Sequence, residues 1–439
     1  MEVHPVRFRD PVHGFIHLSK SELKLVESRA FRRLRYIKQL ALTYLVYPGA
    51  MHTRFEHSLG VMELATSAFE AIQNKSGELL NTNLKKIGMT VDQAKSLLRA
   101  TALLHDVGHL PFSHGGEAVL PKNNISGEPT THEQVSIAFI REHELSDLLE
   151  KELYQGVVEH IALLLDEGQI PPELLILKRL ISGQFDADKM DYLNRDSLHC
   201  GVGYGNFDYL RLLETLRAKE SAEGGLELSL DRGGIHTLEA MMLARYWMFT
   251  QVYYHKTRRI FDIYLRRYLL AWYQDQYKDL LRVMDHDDVT VMNDIIQDAK
   301  DQVGNEDRHK YASRIRERKH HHVIYETDNN ADAKEMRIAM GTEKKLCQKH
   351  ADVDFILDAK ARGTLHKFYV EGDEEMGDEF PIYDTISGRY SRLSEESRIF
   401  ERIPRTFHVI RIYADVPKDQ LAKLREETTQ IEQHERQVI

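Results

Sequence analysis

The feature that most constrains this chain is a helical rhythm of apolar residues running from about Lys20 to Leu280. After Met89, the residues Ala94, Leu97, Leu98, Thr101, Ala102, Leu104 and His105 follow an i, i+3, i+4 pattern, and Thr90 with Gln93 forms a capping box that starts the helix. A second stripe begins at His57 and continues through Val61, Ala65, Ala68 and Ile72. A third covers Leu174 to Ile181 and resumes at Asp188. Such faces are buried by packing against one another, which predicts a helical bundle.

The rhythm is not uniform along the 439 residues, a length that suits one large domain plus a smaller one. Residues 5–20 read as a short irregular or hairpin-like start, punctuated by Asp10-Pro11 and Gly14. Residues 285–322 are charged and weakly periodic. Behind them come short β-like runs at His322-Val323-Ile324-Tyr325, Leu365 to Val370, and His408 to Tyr413, then a charged amphipathic helix from Lys418. The expected organisation is a helical catalytic domain over 1–285 and an α+β region over 286–439, with a basic linker at about 286–325. The fold class is therefore mainly α with a smaller α+β part.

Composition excludes several classes. No stretch approaches ~20 consecutive apolar residues, so no membrane span is expected. The first residues, Met1 to Val6, carry acid and lack an apolar core, so they do not read as a secretory signal. Cys200 and Cys347 are the two cysteines, too few for a disulfide framework or a thiolate metal site, which points to a reducing cytoplasm. A net charge of −10 argues against a general nucleic-acid coat but leaves room for a local basic pocket.

The chemistry sits in the helical part. His105-Asp106 ends an apolar stripe, just before Gly108 and Pro111 interrupt the helix. An ionisable pair at the buried end of an apolar face is unfavourable unless a charge compensates it, and a cation would. Taken alone, the pair is compatible with chance. However, His57 lies on the apolar stripe of its own helix, and Asp188 opens another on a face shared with Tyr192 and Arg195. His57, His105, Asp106 and Asp188 together form a mixed imidazole and carboxylate set suited to Mn, Fe, Co, Ni or Zn, with positions left open for water and substrate. His114 and His132 flank the same region.

Ordered local motifs extend the picture: Asp10-Pro11-Val12-His13-Gly14, Phe31 to Leu40, Arg54-Phe55-Glu56-His57-Ser58-Leu59-Gly60-Val61, His105-Asp106-Val107-Gly108-His109, Pro111-Phe112-Ser113-His114, Thr131-His132-Glu133-Gln134 and Asp188-Lys189-Met190-Asp191-Tyr192. Over roughly residues 5–265 the chain resembles the HD-domain phosphohydrolases, with their H…HD…D pattern. Within them it is similar to the deoxynucleoside triphosphate triphosphohydrolase branch, which includes the SAM-and-HD-domain enzymes and bacterial relatives. The resemblance implies that His57, His105, Asp106 and Asp188 hold a divalent metal, with Mg admitted alongside the substrate. It also implies that water attacks the α-phosphorus of a nucleoside triphosphate and that inorganic triphosphate leaves in one piece.

Further roles follow from the same resemblance. Protonation of the 5′-oxygen calls for a histidine near neutral pKa, and His114, oriented by Glu117, is the first choice. His109 and His132 are the other candidates, and His109 is also readable as a partner that fixes Asp106. Arg54, Lys189 and Arg245 match phosphate-contacting positions. Gln39, Leu40, Tyr192 and Asp196 match positions that select the sugar, and Tyr253 matches a base-stacking tyrosine. Glu27 and Arg35 match contacts to an activator nucleotide at the interface of a homodimer or homotetramer.

Three departures leave the base open. Phe249 stands where vertebrate members have a histidine, Tyr254 where they have a glutamine, and Ala41-Leu42 replaces a Gly-Gly pair. The basic run Arg308, Lys310, Arg314, Arg316, Arg318 and Lys319, followed by His320-His321-His322, invites a nucleic-acid reading through phosphate neutralisation. The acidic neighbours Glu306, Asp307 and Glu317 favour a solvated helix face instead, and the three histidines a solvated strand start. Two alternatives to triphosphate hydrolysis therefore stay open at this point. One is a phosphohydrolase of a monophosphate or an alarmone. The other is a metal-dependent single-strand nuclease or nucleic-acid-binding protein.

Overall fold

The structure is a computed structural model, and it describes residues 6–122, 129–166, 168–222, 224–273, 277–300, 306–367 and 379–438. Val6–Asp10 and Gly14–Leu18 form an antiparallel hairpin. The Asp10 carboxylate closes its turn by accepting the Val12 and His13 backbone N–H groups at 2.8 and 2.9 Å.

The centre of the molecule is a helix, Arg54–Lys85, whose His57, Val61, Ala65, Ala68 and Ile72 are all buried. Thr53 and Glu56 form a capping box at its start. It packs against the helix Val91–Leu104, which starts at the expected Thr90–Gln93 box and buries Ala94, Leu97, Leu98, Thr101, Ala102 and Leu104. Burying each leucine of that stripe contributes ~1.5–3 kcal/mol relative to exposure. The helix Ala187–Cys200 also lies on Arg54–Lys85, and Gly60 permits its approach. A Cβ at Gly60 would sit 2.0 Å from Asp191 Oδ1 and 2.5 Å from Arg195 Nη2.

Behind the bundle, the stretch at 286–325 contains the helices Asp288–Asp298 and Glu306–Arg316, where the sequence showed only weak periodicity. Their buried faces are narrow: Asp288, Val291 and Ile295 on one, and Tyr311, Ala312 and Ile315 on the other. Two of the three expected strands are present, His322–Glu326 and Thr406–Ala414. The third is displaced. The strand is Phe355–Thr364, ending before Leu365, and residues 368–370 of the expected run lie outside the described residues. In the three-stranded antiparallel sheet, Thr406–Ala414 is central, between His322–Glu326 and Phe355–Thr364. The helices Ala333–Lys349 and Leu421–Val438 pack together beside it, the latter being the expected charged tail. A second sheet pairs Leu216–Glu220 and Leu226–Asp231 with Pro381–Asp384 and Arg389–Arg392.

The first sheet is anchored to the helical part by specific bonds. Arg259 makes two hydrogen bonds to Asp358 (3.0 and 2.9 Å). Tyr254 donates to the Arg362 carbonyl at 2.6 Å, and Arg245 to that of Thr364 at 3.0 Å. Tyr413 donates to the Lys256 carbonyl at 2.9 Å. The strand Phe355–Thr364 thereby becomes a wall of the main cavity.

The basic run is largely neutralised within the chain. Arg308 pairs with Asp298, Lys310 with Asp354, Arg314 with Asp415 and Lys319 with Glu317. His321 is buried against the Tyr264 hydroxyl rather than solvated. Among the described residues no helix is long and apolar enough to cross a membrane. Cys200 and Cys347 are both free.

Candidate functional site

His57 sits one turn into its helix, His105 follows the last residue of Val91–Leu104, Asp106 comes next, and Asp188 lies in the first turn of Ala187–Cys200. These elements bring four donor groups to one point. His57 Nε2 is 3.0 Å from Asp188 Oδ1 and 3.5 Å from Asp106 Oδ2. His105 Nε2 is 3.4 Å from Asp106 Oδ1 and 3.9 Å from Asp188 Oδ1. Ligands held ~2.1 Å from one cation stand ~3.0–3.4 Å apart, so these separations are at or just above coordination spacing. Both Nε2 atoms are buried without a hydrogen bond, an unfavourable state that a divalent cation between the two carboxylates would relieve. The donor set therefore fits a metal ion.

Partners on the far side orient these ligands. His57 Nδ1 is 2.7 Å from Asp191 Oδ2, and His105 Nδ1 is 2.7 Å from the Ala102 carbonyl. Both bonds leave Nε2 facing the cluster. Asp191 is fully buried and also meets His13 Nε2 (2.6 Å) and Arg195 (2.8 and 2.9 Å), whose other end reaches Asp10 at 2.8 Å. Burial disfavours a charge on His57, but the Asp188 and Asp191 carboxylates outweigh it and raise its pKa to about 10. Burial likewise opposes ionisation of Asp106, yet the Arg54 guanidinium and the His105 and His109 rings hold it well below the usual carboxylate range.

Next to the cluster stands a second group. The turn Ser113–Val119 is helical, so Glu117 Oε1 reaches His114 Nδ1 at 2.9 Å and also His132 Nδ1 at 2.7 Å. The His109 and His132 rings stack 3.8 Å apart. His109 Nε2 lies 3.2 Å from Asp106 Oδ1 without hydrogen-bond alignment, so both its ring nitrogens are buried and unpaired. Burial and the nearby Arg54 and His132 push the His109 pKa well down, keeping that ring neutral. Burial works against a charged His132, but Glu117 raises its pKa. His114 is different: 67% of its side chain is exposed, on the cavity wall.

The approach of the helix His132–Ile140 depends on Gly108. A Cβ there would lie 2.2 Å from the Ser136 nitrogen. Ser136 in turn donates to the His105 carbonyl (2.8 Å) and accepts from Gly108 N (2.9 Å). Phe112 and Ser113 then turn the chain with φ of 60° and 54°, in the left-handed region. The buried Asp288 holds that turn, accepting from Phe112 N at 2.6 Å and from Lys38 N at 2.9 Å.

The cavity in front of the cluster has a volume of about 990 Å³. Gln39, Leu40, Arg54, Tyr192, Asp196 and Tyr253 line it, together with His105, Asp106, Asp188, His109, His114, Glu117 and His132. The Gln39 Oε1 is buried without a partner. Both Asp196 oxygens are engaged, by His52 and by the Tyr253 hydroxyl, each at 2.7 Å. Arg54 is tied to Asp106 (2.6 Å) and Ser113 (3.0 Å). Lys189 and Arg245, expected on phosphate, do not line the cavity: Lys189 closes on Asp186 at 2.6 Å, and Arg245 on the Tyr192 hydroxyl and Thr364. Phe249 and Tyr254 line it beside Tyr253. Ala41, at a position where the resembled enzymes carry glycine, takes a φ of 49°. Glu27 and Arg35 lie elsewhere on the surface, Arg35 with its guanidinium 3.5 Å from the Phe55 ring centroid.

Comparison with known proteins agrees with this geometry. The HD domain model matches residues 54–180 and the HD associated region matches 207–354. The chain belongs to the HD-domain family. A crystal structure of a hypothetical protein from Aquifex aeolicus superposes with a TM-score of 0.75 at 29% identity, covering 96% of this chain and 99% of that one. The uncharacterized protein MJ1154 of Methanocaldococcus jannaschii is 35% identical over 285 residues, 65% of this HD-domain chain and 54% of the relative. The deoxynucleoside triphosphate triphosphohydrolase SAMHD1 of Danio rerio is 32% identical over 279 residues, 58% of this chain and 43% of the relative. The chain spans about half the length of the curated relatives it matches.

Several functional positions escaped the sequence reading. Asp191, His13, Arg195 and Asp10 form one buried network behind His57, while Ser136 and Asp288 brace the turn around His105 and Ser113. Asp10, His13 and Asp191 were visible as members of motifs, without a role.

Proposed function

We propose that this chain is a metal-dependent phosphohydrolase that splits deoxynucleoside triphosphates into nucleoside and inorganic triphosphate. The observation that carries the reading is the convergence of His57, His105, Asp106 and Asp188, the last three lining a cavity whose wall presents the exposed His114 held by Glu117. The similarity to enzymes named deoxynucleoside triphosphate triphosphohydrolases supports the substrate class.

In this reading the four ligands hold one divalent cation from the Mn to Zn series, which supplies Lewis-acid activation of water and neutralises charge on the phosphate. Arg54, bonded to both Asp106 and Ser113, is a fixed positive charge beside the cluster. His114 gives a proton to the departing 5′-oxygen, and Glu117 holds the imidazole in place through Nδ1 so that Nε2 faces the cavity. Neutral His109 and His132, whose pKa Glu117 raises, flank the phosphate chain, where His132 adds a hydrogen-bond donor. The Tyr192 ring crowds the 2′ position of the sugar, and Gln39 and Asp196 read its 3′-hydroxyl.

Product analysis tests this. The purified chain is incubated with each dNTP and NTP in turn, with Mn, Mg, Co or Fe. Release of nucleoside with intact triphosphate is the expected result, absent from His105→Ala/Asp106→Ala. Release of pyrophosphate or single phosphate would contradict the reading.

A further inference from the structure

Gln39 and Asp196, which the proposed reading sets against the 3′-hydroxyl, come from separate segments of the cavity wall and meet one residue behind it. That residue is His52, which is buried and is not part of the lining. Its backbone carbonyl accepts from Gln39 N at 3.0 Å, and its Nε2–H donates to Asp196 Oδ1 at 2.7 Å. Arg54 N donates in turn to the Ile37 carbonyl at 2.9 Å, so residues 37–39 and 52–54 form an antiparallel bridge around Lys38 and Thr53.

The side chain of His52 is enclosed as well. The His199 ring stacks on it with centroids 4.5 Å apart and planes 19° from parallel. Among the described residues His52 Nδ1 has no hydrogen-bond partner, so Asp196 is the polar group that fixes how the imidazole is turned. Asp196 Oδ2 accepts from the Tyr253 hydroxyl at 2.7 Å, so both carboxylate oxygens are held and the plane of the group is set. A carboxylate has about four acceptor positions, and two donors leave capacity for a third. The buried Gln39 Oε1 has no partner either, among the described residues. A sugar hydroxyl has one proton to give and lone pairs to accept with, which suits a site that contains both a carboxylate and a primary amide.

We infer that His52 is the positioning residue of the 3′-hydroxyl site. Its carbonyl holds the backbone of Gln39 and its imidazole turns the carboxylate of Asp196, so the two readers are set before a nucleotide enters. Holding them in advance removes an ordering cost that binding would otherwise bear. His52 acts through Asp196 and does not itself line the cavity. The inference deepens the proposed hydrolysis and rests on it for where the sugar lies.

The test compares two substrates that differ only in the 3′-hydroxyl, dATP and 2′,3′-dideoxy-ATP, on the full chain loaded with Mn. Wild type is expected to favour dATP in kcat/KM. His52→Leu, which keeps bulk and loses the donor, is expected to lower that preference about tenfold or more. The loss falls on dATP, while kcat/KM for the dideoxy substrate stays within about threefold. His52→Gln, whose amide N–H can replace Nε2–H, is expected to restore most of the preference. If His52→Leu does not fold, His52→Asn, shorter than the imidazole, takes its place. A wild-type chain indifferent to the 3′-hydroxyl, or an unchanged preference in a folded His52→Leu protein, overturns the inference. So do equal losses on both substrates, which mark a purely structural histidine. A wild-type chain that turns over neither substrate refutes the hydrolysis; the preference is then read from calorimetric Kd for the two nucleotides, with the same outcomes for His52.

Discussion

Asp191→Asn isolates the part of the site that the metal would feel without touching a ligand. The carboxylate accepts from four nitrogens: His13 Nε2 at 2.6 Å, His57 Nδ1 at 2.7 Å and two of Arg195 at 2.8 and 2.9 Å. Asparagine keeps the shape but offers one oxygen, and turns an NH₂ toward donors. Each carboxylate oxygen holds one imidazole and one guanidinium nitrogen, so the amide group loses one bond of each kind, while Arg195 retains Asp10. At ~1.5–3 kcal/mol per charge-assisted bond, unfolding free energy should drop by about 3 kcal/mol or more. With His57 no longer fixed, metal affinity should fall ~10–100-fold. Chemical denaturation reads the first quantity and Mn titration of the chelated protein reads the second. His13→Ala removes a different arm of the same carboxylate and leaves the His57–Asp191 bond, so it should lower stability while metal affinity stays within about threefold. A folded Asp191→Asn protein that binds Mn like wild type would refute the claim that Asp191 sets His57.

Other consequences are equally direct. Gly60→Ala forces a methyl onto Asp191 and Arg195, and overpacking of this kind should cost ~1–3 kcal/mol in thermal or chemical unfolding, together with weaker Mn binding; an unchanged melting temperature would contradict it. Burial of Asp288, only partly offset by the Phe112 and Lys38 N–H groups, raises its pKa to about 6, above the ~3.9 of an unfolded chain. The stability this proton contributes is complete below about pH 4 and is lost as pH rises to about 6, a change of about 3 kcal/mol. Asp288→Asn should remove that slope, so equal slopes in the two proteins would contradict it. Tyr192→Ala should cut the ratio of kcat/KM for dATP over ATP by about tenfold or more, and an unchanged ratio would remove Tyr192 from sugar selection.

What the sequence discloses and what it hides follow one physical line. Periodicity and capping are local, so the Val91–Leu104 helix, its Thr90–Gln93 start and the inward side of His57 were legible. Asp191 was not, because its partners His13 and His57 lie 178 and 134 residues away. Asp288 was read as part of a charged linker, and its role appears only when the chain returns to Phe112 and Lys38. The strand Phe355–Thr364 was missed because one of its inward positions is Asp358, made tolerable by Arg259, which breaks the apolar alternation. Lys189 and Arg245 show the opposite limit, since motif position identified them but not the neighbours that hold them.

Hydrolysis of dATP in ¹⁸O-labelled water, followed by mass spectrometry of both products, tests the central claim most directly. Attack on the α-phosphorus predicts one labelled oxygen in the inorganic triphosphate and none in the nucleoside. Label in the nucleoside 5′-hydroxyl, or in a released monophosphate or pyrophosphate, would contradict it.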